Sequence, residues 1–428
     1  MRFVDLAANP SAQIPRPTAG DRPVESVRAI LEQVKSQGDE ALVKLTERFD
    51  KVNLTDGIRV PAEQLEEAFN AITDELREAL EEAATRIRTF SEKQSLVPWE
   101  AKVGGGLVGE RVHAVPRAGL YVPGGRATYP STVLMTAIPA TVAGVNEIAL
   151  CVPPGAEGDV PASTLAAAHL AGVSEVYRVG GAQAIGAMAY GTESIGRVEV
   201  IAGPGNIYVA LAKQEVAGLV GIDSVAGPSE IAIVTDGEFD ARMAAFDLVA
   251  QAEHGPNGAF VVVTWKEEFL VYVAHALEAV LREIEASDDL RAAVDRGAVG
   301  VGVAGLDQAA ECINRFAPEH LQLVFDGAEG QLDRFSAAGA IFVGPWSPVC
   351  VGDYFAGTNH VLPTSGAGRW ASGLRTSHFQ KAVSYVKYDR ESLERAAPYV
   401  DTLAAAEGLP NHGRAVRARF TEEAETLG

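Results

Sequence analysis

From Gly119 onward the chain alternates short apolar runs, broken by Gly and Pro, with longer helix-like segments: GLYV, EIALCV, VYRVG and VEVIAG each lead into such a segment. That alternation is the mark of βαβ units, whose strands lie parallel in one sheet with helices on its faces. The rhythm restarts after GIDSVAGPSE with EIAIVT, a helix from Asp240 to His254, FVVVT, a long helix, AVGVGV, a further helix, LQLVF and AIFVG. An α/β protein with two parallel-sheet domains is therefore expected, and 428 residues leave room for two or three units. Gly/Pro-rich YVPGG and AGPSE set the junctions near Gly119 and Gly227. The expected division is 1–118, a helical N-terminal region leading into the first α/β domain; 119–228, that domain; 229–376, the second; and 377–428, a charged helical arm. In the N-terminal region Val27, Ile30, Leu31 and Val34 recur at helical spacing, as do Leu65, Phe69, Ile72 and Leu76. A terminal helical arm need not fold back on its own domain and can dock on a partner subunit.

Composition narrows the function. Lys and Arg number 36 against 57 Asp and Glu, a formal charge of -21 with no compensating basic stripe, which argues against nucleic acid as a partner. The opening MRFVDLAANP has no apolar core of a secretory leader, and no run approaches the roughly 18 apolar residues of a membrane span, so a cytoplasmic protein is expected. Cys151, Cys312 and Cys350 lack C-x-x-C spacing and read as small hydrophobes, so a metal here would need nitrogen and oxygen ligands.

Each polar motif has a plain reading beside the chemical one. GVGVAG, with Gly300, Gly302 and Gly305, has the outline of a dinucleotide fingerprint, but Val301 and Val303 read as continued strand, and glycines that let a strand end pack closely are the preferred account. GGAQAIG and AGPGN each end a strand and open a helix, where backbone N–H groups favour anions such as a pyrophosphate; singly they are ordinary turns, but two in one βαβ unit beside YVPGG point to a nucleotide. QAEH ends a helix, and its spacing puts Gln251 and His254 on one face, either as a helix end or as an oxygen and an imidazole for a cation such as zinc. In PEHL, Glu319 and His320 start a strand after Pro318; neighbours there usually diverge, one inward and one solvated, while the functional reading is a general-base pair. GDYFAGTNHVLPT places Asp353, Asn359 and His360 in a loop after AIFVG, and EGLPNH carries Glu407 and His412 in the arm. His113, His169, His275 and His378 lack partner motifs and read as structural or surface residues.

Taken in order, YVPGGRATYPSTVLM, GGAQAIG, AGPGN, IDSVAGPSEIAIV, DLVAQAEHG, FAPEHL, GDYFAGTNHVLPTSG and AEGLPNHGRAV resemble the histidinol dehydrogenases across nearly the whole chain. The resemblance implies two incomplete Rossmann-like domains, with a helical N-terminal region and a helical C-terminal arm, in a homodimer whose arms complete each partner's active site. It implies one Zn2+ per subunit on residues matching Gln251, His254, Asp353 and, from the other subunit, His412. It implies NAD contacts at Tyr121, Gln183 and Asn206, which makes 119–228 the NAD-binding domain. Substrate contacts match Ser229, His360 and Glu407, joined by the zinc ligands and His320. His320 would take the alcohol proton of L-histidinol, Glu319 would activate water, and two NAD would carry away four electrons to give L-histidine through an enzyme-held aldehyde.

The chain departs from the family in two places. SPVC, with Val349 and Cys350, stands where an acidic residue is expected before GDY, and ASGLRTSHFQ departs from the usual SGLSV-type segment around Gly373 to Ser377. The alternatives are a paralogue that oxidises another amino or sulfonated alcohol, a non-catalytic metal- or nucleotide-binding relative, and a zinc hydrolase.

Overall fold

The computed structural model describes residues 1–17, 22–54, 57–124, 127–225 and 227–420. They fall into two compact units, Met1–Ser95 with Val115–Phe379, and Leu96–Ala114 with the chain from Gln380 on. The first unit opens with β1 (Arg2–Asp5) and four helices, Val24–Gln37, Asp39–Asp50, Glu63–Ala71 and Asp74–Glu92. Strands β2 (Trp99–Val103) and β3 (Gly106–Ala114) belong to the second unit. The chain then lays down β4 (Arg117–Tyr121), β5 (Glu147–Cys151), β6 (Glu175–Tyr177), β7 (Val200–Ala202) and β8 (Gly221–Ile222), a parallel sheet ordered β6-β5-β4-β7-β8. Next come β9 (Glu230–Thr235), β10 (Ala259–Thr264), β11 (Ala298–Gly302), β12 (His320–Val324) and β13 (Ala340–Val343), which with β1 form a parallel sheet ordered β1-β11-β10-β9-β12-β13.

Counted within itself, each sheet runs 3-2-1-4-5, the doubly wound order without its sixth strand, and β1 extends the second sheet at one edge. These are the two incomplete Rossmann-like domains. Every residue of β9, β10, β11 and β12 is buried, as expected of parallel strands covered on both faces. GVGVAG is strand and strand end: Val301 and Val303 are buried, and a Cβ on Gly300 would lie 2.9 Å from Met1 Cε.

Three features depart from the sequence reading. The stripe Leu65, Phe69, Ile72, Leu76 spans two helices, because Thr73 caps the second by accepting from the Leu76 N–H at 3.3 Å. β1 is a four-residue edge strand too short to show a period. The arm is not helical throughout: β14 (Gln380–Lys387) pairs antiparallel with β3, which pairs with β2, before helices Arg390–Ala406 and Pro410–Arg417. β2 and β14 are mostly exposed, so neither has a buried face to impose an alternating pattern. Among the described residues no helix is long and apolar enough to cross a membrane.

Candidate active site

In the first sheet the strand order reverses between β4 and β7, where an open α/β sheet takes its ligands beyond the strand C-termini. The chain leaves β7 through Gly203, Pro204, Gly205 and Asn206. Gly203 has φ 122°, and a Cβ on it would lie 2.0 Å from the Tyr121 carbonyl oxygen. Its N–H donates to Asp223 Oδ2 at 2.8 Å and its carbonyl accepts from Lys213 Nζ at 2.9 Å. Lys213 and Asp223 are themselves a buried ion pair, so one charge pair grips both backbone groups of the turn glycine. Asn206 Oδ1 accepts from the N–H groups of Tyr208 and Val209 at 3.0 and 3.2 Å, capping helix Ile207–Val216. Gly203→Ala is expected to destabilise the fold by about 3 kcal/mol, from left-handed strain plus the clash with Tyr121, as an earlier midpoint in urea would register.

The other two residues expected to contact NAD are buried at and near the start of helix Gly181–Tyr190. Tyr121 is buried, its hydroxyl oxygen accepts from the Gly181 N–H at 3.1 Å, and burial pushes its phenol above the ordinary range. Gln183 is buried in helix Gly181–Tyr190. Asn206 lines a cleft of about 680 Å³, which also takes in Pro123, Gly124 and Gly205 from the end of this sheet.

The second sheet meets the same cleft with the opposite edge, the N-terminal ends of β9 and β12. Helix Leu306–Phe316 stops at Ala317, whose φ is 49°, and Pro318 leads into Glu319 and His320. The two side chains do not split into one inward and one solvated group: they are 7% and 3% exposed, both line the cleft, and both bond to the peptide of Glu230. The Glu230 N–H donates to Glu319 Oε2 at 3.0 Å, and His320 Nδ1 lies 3.0 Å from the Glu230 carbonyl oxygen. A carbonyl can only accept, so Nδ1 carries the imidazole proton and Nε2 keeps a bare lone pair. That Nε2 is buried without a hydrogen-bond partner among the described residues and stands 3.8 Å from Asp353 Oδ1. Burial lowers His320 to about 3, which keeps the ring neutral, and burial raises the Glu319 carboxyl well above the ordinary carboxylate range.

Helix Ala241–Ala252, capped by Asp240, delivers Gln251, and one further turn, with the His254 N–H on the Gln251 carbonyl at 3.3 Å, delivers His254. Both line the cleft; Gln251 is buried and its Nε2 has no partner among the described residues. Desolvation by the cleft walls lowers the His254 imidazole from its ordinary value, although the residue keeps an exposed face. Asp353 comes from helix Val349–Tyr354, where Gly352 packs so closely that a Cβ would lie 2.5 Å from the ring of Phe342. Burial raises the Asp353 carboxyl to about 7. Ser229 lies just before β9 in the same lining.

His360 also faces the cleft, but both of its nitrogens are engaged. Nδ1 donates to the Asp353 carbonyl at 3.1 Å, which leaves Nε2 to accept from the Thr132 hydroxyl at 3.1 Å. Asn359 braces the same loop, its amide donating to the Met135 carbonyl at 2.6 Å. Glu407 and His412 are in the second unit, at the end of helix Arg390–Ala406 and in helix Pro410–Arg417, both exposed. Among the described residues no three of His, Cys, Asp and Glu stand together as a metal-holding group.

Sequence reasoning missed Thr132, Arg16 and Glu230. Each is a single polar residue whose importance lies in partners more than two hundred positions away, a signal no local pattern carries. Neither departure from the expected pattern reaches the cleft. Val349 is buried in the apolar core with Phe342 against it, and Cys350 is exposed. Leu374 and Thr376 are buried, the Thr376 hydroxyl donating to the Ser91 carbonyl at 2.8 Å.

The histidinol dehydrogenase family profile matches residues 16–420. The histidinol dehydrogenase of Parasynechococcus marenigrum is 46% identical over 398 residues, covering 92% of this chain and 90% of that one. That of Methanocaldococcus jannaschii is 45% identical over 397 residues, covering 92% of both. The crystal structure of histidinol dehydrogenase from Elizabethkingia anophelis superposes with a TM-score of 0.90 at 33% identity, over 98% of each chain. With the profile spanning almost the whole sequence and the fold shared from end to end, the chain belongs to the histidinol dehydrogenase family.

Proposed function

We propose that the protein oxidises L-histidinol to L-histidine with two NAD, at the cleft where the first sheet's strand C-termini face the N-termini of β9 and β12. The observation that carries this reading is the bare, buried Nε2 of His320 beside Asp353, with Gln251 and His254 in the same lining. In the overall change the carbinol carbon loses two hydrides and gains one oxygen from water. His320 Nε2 takes the hydroxyl proton as the first hydride leaves. The Glu319 carboxylate, 3.5 Å from His320 Nδ1, then takes a proton from the water that adds to the aldehyde, and the burial that raises its pKa makes its ionised form the stronger base. Retention of the aldehyde in the cleft would keep a reactive intermediate from being lost to solvent.

The residues fit both absent groups. Gln251 offers a buried amide whose oxygen can face the cleft and Asp353 a half-buried carboxyl, so with His254 the cleft presents oxygen, oxygen and nitrogen donors, a set suited to zinc. These three, with His412 of the partner subunit, would hold one zinc per subunit. When bound, zinc has no accessible redox change and supplies positive charge that anchors substrate nitrogens and orients the carbinol carbon. NAD, which accepts each hydride when bound, would lie along the turns after β4 and β7, with Asn206 at the cleft and Tyr121 and Gln183 supporting. Ser229 and His360 would border the substrate, and Glu407 of the partner subunit would meet its ammonium.

A homodimer with exchanged arms is part of the proposal. It is supported by the exposure of Tyr399, Leu403 and Leu409 on the arm, at 74%, 65% and 46%, an apolar surface that a partner can cover. Three free thiols support a reducing, cytoplasmic setting. Purified protein is expected to form two NADH per L-histidinol consumed, to lose this activity on chelation and to regain it with zinc. Absence of NADH formation from histidinol in a zinc-loaded, folded dimer would sink the substrate assignment and turn attention to other amino alcohols.

A further inference from the structure

Both groups of the proposed acid–base pair hang on one residue, Glu230. Its N–H holds Glu319 Oε2 and its carbonyl holds His320 Nδ1, each at 3.0 Å. The Glu230 side chain is 3% exposed and is held by Arg16, whose Nε donates to Oε1 at 2.6 Å and whose Nη2 donates to Oε2 at 3.3 Å. Arg16 Nη2 also donates to the Phe316 carbonyl and, at 3.4 Å, to that of Ala317, while the guanidinium lies 3.8 Å from the centroid of the Phe316 ring. Phe316 and Ala317 are the helix end and left-handed hinge from which Pro318, Glu319 and His320 depart. One planar cation, brought in by the N-terminal segment, thus ties the start of β9 to the residues that aim β12.

We infer that Arg16 and Glu230 are positioning residues for the oxidation. Together they fix the Glu230 peptide, so that His320 stays in the Nδ1–H tautomer with its Nε2 lone pair in the cleft and Glu319 stays beside it. The inference rests on the reading of Glu319 and His320 as the acid–base pair. Geometry argues for it over a simple stabilising role. A buried carboxylate needs only charge for stability, whereas the fork of Arg16 divides its donors between that carboxylate and two hinge carbonyls. Loss of the fork frees the peptide to rotate, after which Nδ1 no longer has a fixed acceptor and the ring can protonate on Nε2, the atom that must accept.

The test uses the full-length, zinc-loaded enzyme with Arg16→Gln, Arg16→Lys and Glu230→Gln. Two readouts are taken on each: kcat and KM for L-histidinol, and the tautomer of His320 from nitrogen NMR of 15N-histidine-labelled protein, assigned by the signal lost in His320→Asn. Arg16→Gln is expected to lower kcat roughly 30- to 100-fold with KM changed less than about threefold, the pattern of lost transition-state alignment. The His320 signals should shift from a pure Nδ1–H pattern toward a mixture. Arg16→Lys should recover less than about threefold of the loss, since it keeps the charge but not the fork, and near-complete recovery by Lys would assign Arg16 a merely stabilising role. A folded Arg16→Gln enzyme with unchanged kcat, a change confined to KM, or an unaltered His320 tautomer overturns the inference. If Arg16→Gln does not fold, Arg16→Lys and Glu230→Gln carry the same two readouts. Full activity in His320→Asn removes the acid–base reading itself, while the tautomer measurement still reports whether Arg16 sets the ring.

Discussion

His320→Asn is expected to lower kcat about 10³-fold, within the 10²- to 10⁴-fold range for loss of a positioned general base, while KM for L-histidinol changes little. The substitution is chosen for what it keeps. The Asn amide can still donate to the Glu230 carbonyl that now takes the Nδ1 proton at 3.0 Å, so the start of β12 retains its tie to β9, but no lone pair remains at the Nε2 position. Glu319→Gln should act later in the reaction. Gln still accepts from the Glu230 N–H but cannot take a proton from water, so the first hydride transfer proceeds and the second stalls. Rapid mixing with excess NAD should then show a burst of about one NADH per site followed by a turnover roughly 10²- to 10³-fold slower than the parent enzyme. Parent-like kcat in His320→Asn, or two NADH at parent speed in Glu319→Gln, removes these residues from the chemistry.

The parts of this molecule that were legible in its sequence are those whose information is local. Strand and helix alternation is written in runs such as EIAIVT and FVVVT, because parallel strands buried on both faces must be apolar throughout. PEHL was legible as a strand start because Pro318 bars helix continuation, and QAEH as a helix end because Asp240 caps the other end. What the letters could not carry was convergence. The open-sheet rule puts ligands at strand C-termini, and the first sheet obeys it, yet the second brings Glu319 and His320 to the cleft at the beginning of β12. That choice is made by how the two sheets of the first unit pack, and no segment records it. Val349 shows the same limit from the other side. As a letter in the SPVC segment it suggested an altered pocket, but the first turn of its helix points it into the apolar core while Asp353, four positions on, reaches the lining. Thr132 lies inside YVPGGRATYPSTVLM and Arg16 in no motif, yet neither stood out as a site residue, since a hydroxyl on His360 and a guanidinium on Glu230 gain meaning only from partners the fold supplies.

Mixing two inactive variants is expected to restore about a quarter of the parent activity, and this result follows from counting sites in exchanged-arm dimers. Asp353→Asn damages the cleft of its own subunit, removing the half-buried carboxyl 3.8 Å from His320 Nε2. His412→Ala removes an imidazole from helix Pro410–Arg417 of the arm. On the proposed zinc set, each alone should lose the metal and drop activity by about 10³-fold or more, since loss of zinc would remove alignment as well as charge. When the two are unfolded together at equal amounts and refolded, half of the dimers are hybrids under random pairing. If each arm serves the partner, a hybrid holds one site with an intact cleft and an intact arm, and one site with neither, so about one site in four of the whole population works. If each arm serves its own cleft, every site in the hybrid carries one lesion and the mixture stays as inactive as its components. Zinc content per dimer, read alongside activity, should rise in step in the first case and remain at the single-variant level in the second.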